Sequence, residues 1–169
     1  MAVRRFERYR QLGLFKNVVE PSFADLKPNG HPWQNQWSQK LFGNNRPLVL
    51  EMGCGRGDFT LQLGRMFPGR NHIGFDIKGA RLWKGATAAL EEQLSNVAFV
   101  RQQGEFLADI FGRGEFEEIW IPFPTPFLYK PSKMLTAPNF LHRYRRLLQN
   151  TGTLHLKTDV ATIYQYALE

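Results

Sequence analysis

Eight consecutive residues, Glu51-Met52-Gly53-Cys54-Gly55-Arg56-Gly57-Asp58, set three glycines at alternate positions behind a carboxylate. Without a Cβ, such a run turns sharply and lets a ligand approach bare main chain. A dinucleotide-binding turn reads G-x-G-x-x-G, and its third glycine would fall at Asp58. An acid two residues before the first glycine suits S-adenosylmethionine better, because that ligand has an ammonium group and no pyrophosphate. Asp76 ends the next apolar run, Asn71-His72-Ile73-Gly74-Phe75, where it can accept hydrogen bonds from ribose hydroxyls. Dinucleotide sites use the same device, so Asp76 does not discriminate alone. A tight turn with no ligand accounts for a lone G-x-G, but less well for one flanked by both acids.

Other reactive side chains are less telling. Cys54 has no His or Asp at an activating spacing, so it reads as a small side chain packed in the turn. His31, His72, His142 and His155 are scattered, form no metal-ligand spacing with Cys54, and imply no metal. Farther along, Pro122-Phe123-Pro124-Thr125-Pro126-Phe127-Leu128-Tyr129-Lys130 is a proline-stiffened loop rich in aromatics. Phe123, Phe127 or Tyr129 can stack on a base, at about 1–3 kcal/mol per stacked base; equally, any one of them can cap the core. From Ile119 to Thr158 there is no Asp or Glu, while Lys130, Lys133, Arg143, Arg145, Arg146 and Lys157 all fall there. A solvated helix face explains some of these charges. Forty residues without an acid favour a polyanion, bound in a salt-dependent way.

The elements that must position these groups follow from the apolar pattern. Leu48–Met52 is a short continuous run, as expected of a buried strand, and Phe59, Leu61, Leu63 and Phe67 suit a helix closed by Pro68-Gly69. A second strand spans Asn71–Asp76, a long helix about Ala80–Leu94, and a third strand Val97–Val100. A short helix at Phe106–Phe111 and a fourth strand at Glu118–Ile121 come next. A helix at Phe140–Leu148 ends at Asn150-Thr151-Gly152, a fifth strand covers Thr153–Lys157, and Asp159 can cap a final helix. Strands alternating with helices predict an α/β fold, with a mostly parallel sheet covered by helices on both faces.

Residues 1–46 read as a basic N-terminal extension and 47–169 as the folded domain. In the first sixteen residues Arg4, Arg5, Arg8, Arg10 and Lys16 face only Glu7. Lys27–Asn45 is dominated by Gly, Pro, Asn and Gln, with one short helix expected around Trp37–Phe42. The arm is either a solvated tail or an electrostatic contact for phosphates. The length suits one domain, and 43% hydrophobic with 22% charged residues excludes a disordered chain. No stretch reaches the roughly 20 apolar residues of a membrane span, and Met1-Ala2-Val3-Arg4-Arg5 opens no secretory signal. One cysteine precludes an internal disulfide framework and fits a cytoplasmic protein. A formal charge of +7 makes nucleic acid a natural partner.

Three segments in order carry a family resemblance: Leu50-Glu51-Met52-Gly53-Cys54-Gly55-Arg56-Gly57, Ile73-Gly74-Phe75-Asp76-Ile77-Lys78-Gly79-Ala80-Arg81, and Leu154-His155-Leu156-Lys157-Thr158-Asp159. Together with Asn17-Val18-Val19-Glu20-Pro21-Ser22-Phe23, they resemble the bacterial tRNA (guanine-N7-)-methyltransferases over essentially the whole chain. The resemblance implies a Rossmann-like class I methyltransferase that uses S-adenosylmethionine, yields S-adenosylhomocysteine and methylates the variable-loop guanine of tRNA. By position it assigns Glu51, Gly53, Gly55, Gly57, Asp76, Gln103 and Phe123 to the cofactor, and Tyr129, Lys130 and Asp159 to the substrate. Thr125 and Asp159 fall at the reaction centre. The family loop usually reads Phe-Ser-Asp-Pro, whereas here it is Phe123-Pro124-Thr125-Pro126, so a hydroxyl replaces a carboxylate. A non-catalytic tRNA-binding relative, or another S-adenosylmethionine-dependent nucleic-acid methyltransferase, is therefore an alternative. The protein would be a monomer or homodimer with no membrane partner. The resemblance also implies two strands beyond the fifth, so a chain of 169 residues reads as C-terminally truncated. The other possibility is a short member whose exposed edge strand pairs with a partner.

Overall fold

Leu48–Met52 (β2) is buried at every position because neighbours flank it on both sides and helices cover both faces. The computed structural model describes residues 2–26, 28–127 and 129–168; Leu128 and Glu169, which the sequence places in the proline-rich loop and at the chain's end, lie outside them. In chain order the remaining elements before and around β2 are α1 (Ala2–Leu12), β1 (Val18–Val19), α2 (Phe23–Leu26), α3 (Trp37–Phe42), α4 (Asp58–Met66) and β3 (Asn71–Asp76). These lead to α5 (Gly79–Glu91), β4 (Val97–Arg101), α6 (Leu107–Ile110), β5 (Phe116–Pro122), α7 (Pro138–Leu147), β6 (Leu148–Lys157) and α8 (Ala161–Leu168).

All strand pairs are parallel, in the order β1-β4-β3-β2-β5-β6. The chain runs outward from β2 through β3 to β4, then returns to lay β5 on the other side of β2. That reversal opens a crevice beyond the carboxyl end of β2. One face of the sheet packs Cys54, Val97 and Phe99 against Leu12 of α1, Leu61 of α4 and Leu82, Ala86 and Ala89 of α5. The other packs Leu50, Met52, Ile73, Phe75 and Ile119 against Trp37, Ile110 and Phe140 from α3, α6 and α7.

Three sequence expectations change. The first 46 residues hold no mere extension: Leu12 and Trp37 are fully buried, β1 pairs with β4, and the Trp37 indole N–H donates to the Ile110 carbonyl at 3.1 Å. Single aromatics among Gly, Pro, Asn and Gln show no period, so their burial is invisible until tertiary contacts supply it. Asn150-Thr151-Gly152 does not precede the fifth strand but lies within it, because β6 starts at Leu148 and shifts register against β5. A Cβ on Gly152 would sit 3.0 Å from the Glu117 carbonyl oxygen, a backbone approach that explains the glycine. At the start of α8 the hydroxyl of Thr158, rather than the Asp159 carboxylate, accepts the turn hydrogen bond, from Val160 N–H at 3.1 Å. Among the described residues β6 has a strand on one side only.

Candidate cofactor and nucleic-acid site

The turn after β2 uses its glycines in different ways. Gly53, Gly55 and Gly57 all have left-handed backbone, with φ of 67°, 57° and 77°. A Cβ on Gly57 would lie 2.6 Å from the Phe99 ring, so this glycine lets the turn settle onto the sheet. A Cβ on Gly55 would meet nothing within 4 Å, so this glycine leaves main chain open to a ligand. Asp76 fixes the turn from the next strand: one carboxylate oxygen accepts from Gly55 N–H at 2.9 Å and the other from Lys78 N–H at 2.8 Å.

Beside this turn lies a cleft of about 350 Å³ at the carboxyl ends of β2, β3 and β4. Gly53, Asp76 and Gln103, all predicted, line it. Ile77, Phe127, Leu135 and Phe140 supply apolar walls, and Gln102, Glu105 and Lys133 polar ones. A mostly apolar wall with a few polar groups is the usual make-up of a small-molecule site.

Glu51 stands apart from this lining. It is 4% exposed, and its Oε2 accepts a hydrogen bond from the Thr60 hydroxyl on α4. Burial, reinforced by Asp58 and Asp76, pushes its carboxyl up to about 7 despite the Thr60 bond. Burial likewise pushes the Cys54 thiol well up, which fits a packed side chain rather than a nucleophile.

The loop after β5 begins with Phe123, whose φ of 48° is unusual for a side chain of that size. Its N–H donates to the Lys157 carbonyl at 2.7 Å, extending the β5–β6 pairing, and its ring lies under the Lys157 ammonium at 5.3 Å. Phe123 therefore points to the β6 side, and Phe127 is the loop aromatic that reaches the cleft. Thr125, Tyr129 and Lys130 are exposed, Tyr129 completely so. Asp159, also exposed, follows the carboxyl end of β6. The sheet order thus separates a cofactor-sized cleft at β2, β3 and β4 from an open rim at β5 and β6. Among the described residues no three His, Cys, Asp or Glu side chains gather as a metal site.

Sequence reasoning did not single out Ile77, Gln102, Lys133, Leu135 or Phe140 as cleft residues. Their positions just past strand ends are the available signal for Ile77 and Gln102; Lys133 and Leu135 reach the cleft through the folded segment before α7, and Phe140 from α7 itself.

A family described as putative methyltransferase matches residues 45–169. The chain is 45% identical over 166 residues to a tRNA (guanine-N(7)-)-methyltransferase of Christiangramia forsetii, covering 97% of this chain and 74% of that protein. It is 40% identical to one from Bacteroides thetaiotaomicron, covering 98% of this chain and 66% of the relative. For one from Porphyromonas gingivalis the figures are 47% identity, with 90% and 63% covered. Among solved structures it is similar to the aminoglycoside resistance methyltransferase NpmB1, with a TM-score of 0.60 and 20% identity over 75% of this chain and 63% of that one. A 16S rRNA (adenine(1408)-N(1))-methyltransferase from Catenulisporales acidiphilia gives 0.56 and 16%, over 73% and 62%. At such identities these two speak for the fold alone: a Rossmann-like class I methyltransferase. The turn, the parallel sheet and the relatives agree, and the chain belongs to the tRNA (guanine-N(7)-)-methyltransferase family.

Proposed function

We propose that this chain methylates N7 of the variable-loop guanine of tRNA, using S-adenosylmethionine, in the cytoplasm. One observation supports it most. The glycine turn and Asp76 frame a cleft at the chain reversal, while the adjoining strand ends carry an exposed rim in a stretch without acids. The residues fit the cofactor: Asp76 suits the ribose hydroxyls, Gln103 can hydrogen-bond an adenine edge, and Ile77, Phe127 and Leu135 offer apolar walls to the ring. Glu51, buried behind the turn, would act on the cofactor's ammonium through the field it sets rather than by contact.

When bound, the cofactor supplies an electrophilic methyl group on a sulfonium. Guanine N7 already carries a lone pair, so the protein needs no general base to make the nucleophile. Its residues have to hold the two reacting atoms in line, roughly 3–3.5 Å apart. Asp159 is assigned to the N1–H and amino edge of guanine, where a carboxylate also favours the positive charge that develops on the purine. Lys130 and Tyr129 are assigned to the phosphate and base beside it.

Mass spectrometry of nucleosides from unmodified tRNA, incubated with and without the protein, tests the reading. It should show 7-methylguanosine, sharply reduced for Asp159→Ala. Its absence, with cofactor binding shown in parallel, would sink the activity. Thr125 favours a second reading, a tRNA-binding relative that lost transfer with the family carboxylate. Thr125→Asp separates them: gain of activity from a silent protein identifies the binding module.

A further inference from the structure

We infer that Arg101 is a positioning residue for the cofactor cleft and that residues 9–23 form the cleft's outer brace. This rests on the cofactor reading above and adds residues that do not themselves line the cleft. Arg101 ends β4 and joins three distant segments. Its Nε donates to the Ile77 carbonyl at 3.1 Å, its Nη1 to Glu20 Oε2 at 2.5 Å, and its guanidinium lies 4.8 Å from the centre of the Tyr9 ring. Ile77 lines the cleft and follows Asp76, whose second oxygen is held by Lys78 N–H. The Arg101 bond to that carbonyl therefore fixes the Asp76-Ile77-Lys78 turn from outside.

The next residue repeats the arrangement. Gln102 donates from Nε2 to the Pro21 carbonyl at 2.8 Å, and its Oε1 accepts from Gln103 N–H at 2.8 Å. Phe23 sets its ring edge-on to Phe106 at 5.2 Å. The loops after β3 and β4, which make one side of the cleft, are thus fastened to a single N-terminal stretch. Gly79 is an independent sign that this packing is specified. A Cβ there would lie 2.5 Å from Tyr9 Cε1 and 2.9 Å from Arg101 Nε, so only glycine admits both side chains over the start of α5.

A guanidinium suits the position because one plane meets a carbonyl, a carboxylate and an aromatic face together, which a lysine ammonium on a flexible stem does not. The Arg101–Glu20 pair is about two-thirds buried. The arm is also held elsewhere, by Leu12 in the core and by the Trp83 indole N–H donating to Gln11 at 2.9 Å. Removing Arg101 should loosen the cleft wall without unfolding the chain.

Calorimetric titration of S-adenosylmethionine into wild type, Arg101→Gln, Arg101→Lys, Glu20→Gln, the Glu20→Gln/Arg101→Gln double variant and Gly79→Ala tests this, alongside steady-state methylation of tRNA. Arg101→Gln should raise Kd and KM for the cofactor about tenfold, equivalent to about 1.4 kcal/mol. Saturated kcat and the KM for tRNA should hold. Arg101→Lys should resemble it, Glu20→Gln should lose about threefold, and the double variant should be no weaker than Arg101→Gln, because the two act as one unit. Gly79→Ala should show the same cofactor-specific loss with Arg101 intact. Cofactor affinity unchanged in Arg101→Gln overturns the inference, as does a lower melting temperature with wild-type binding. If wild type itself fails to bind the cofactor, the reading of the cleft falls and this inference with it.

Discussion

Replacing Glu51 by Gln should make the protein more stable, and increasingly so as pH rises. The side chain is 4% exposed, its Oε2 accepts a hydrogen bond from the Thr60 hydroxyl, and Asp58 and Asp76 oppose its charge. Burial is the largest effect, and the carboxyl titrates near 7 against an ordinary 4.5. That gap of about 2.5 pH units corresponds to about 3 kcal/mol, at 1.36 kcal/mol per unit. The folded chain holds this proton more tightly than the unfolded one. Its contribution to stability is therefore complete below about pH 4.5 and is lost as pH rises through about 7. Gln keeps the shape and an acceptor for Thr60 but has no charge to desolvate. The variant should match wild type near pH 4 and exceed it by up to about 3 kcal/mol at about pH 8.5, a difference of roughly 6–12 °C in melting temperature for a chain of this size. Urea unfolding of both proteins across that range, plotted as their difference, cancels titrations elsewhere. A difference that does not change with pH would refute the argument from burial, and one that shrinks with pH would reverse it.

Two glycines of the turn should respond unequally. Gly57→Ala forces a Cβ to within 2.6 Å of Phe99 on left-handed backbone and should cost about 2–4 kcal/mol; Gly55→Ala meets open space and should cost only about 1–2 kcal/mol, both by urea unfolding. Asp76→Ala removes the acceptor for Gly55 and Lys78 N–H, so it should lower both the melting temperature and cofactor affinity, the latter about tenfold or more. Asp159→Ala, at an exposed position, should leave the melting temperature within a degree or two while abolishing most methyl transfer. Affinity for tRNA, measured by fluorescence anisotropy, should fall steeply with salt. Arg145→Ala and Arg146→Ala, both exposed on α7, should each flatten the log–log slope by about 0.7–0.9; unchanged slopes would remove α7 from the RNA path.

What could be read from the sequence was what the backbone dictates. Leu48–Met52, the glycine turn and Asn71–Asp76 were legible because a buried parallel strand needs a continuous apolar run and a left-handed turn needs glycine. The aromatic that enters the cleft was not legible. Phe123, Phe127 and Tyr129 are equivalent as composition, and the choice among them is made by a positive φ at Phe123 and its bond to the Lys157 carbonyl, 34 residues away in sequence. The N-terminal contribution was hidden for a related reason. Val18–Val19 is too short to show a period, and Glu20 meets Arg101 across 81 residues.

The two halves of the site also differ in how their side chains are used, and this explains why they were unequally legible. On the cofactor side, Asp76, Glu51 and Gln102 are engaged in holding main chain or neighbouring side chains, so their identities follow from the fold itself. Substituting any of them changes the protein's stability even without a ligand, upward for Glu51→Gln and downward for Asp76→Ala. On the proposed substrate side, Thr125, Tyr129, Lys130 and Asp159 face solvent, so packing places little demand on their types. Under the proposed function, their identities would answer to a partner outside the chain. An exposed carboxylate in a rim otherwise free of acids is unfavourable for a polyanion unless it meets a donor edge. Guanine presents such an edge, with its N1–H and amino group side by side. On that argument, and with the proposed function, the single acid at Asp159, set against six basic residues between Ile119 and Thr158, would select the base while its neighbours would hold the backbone.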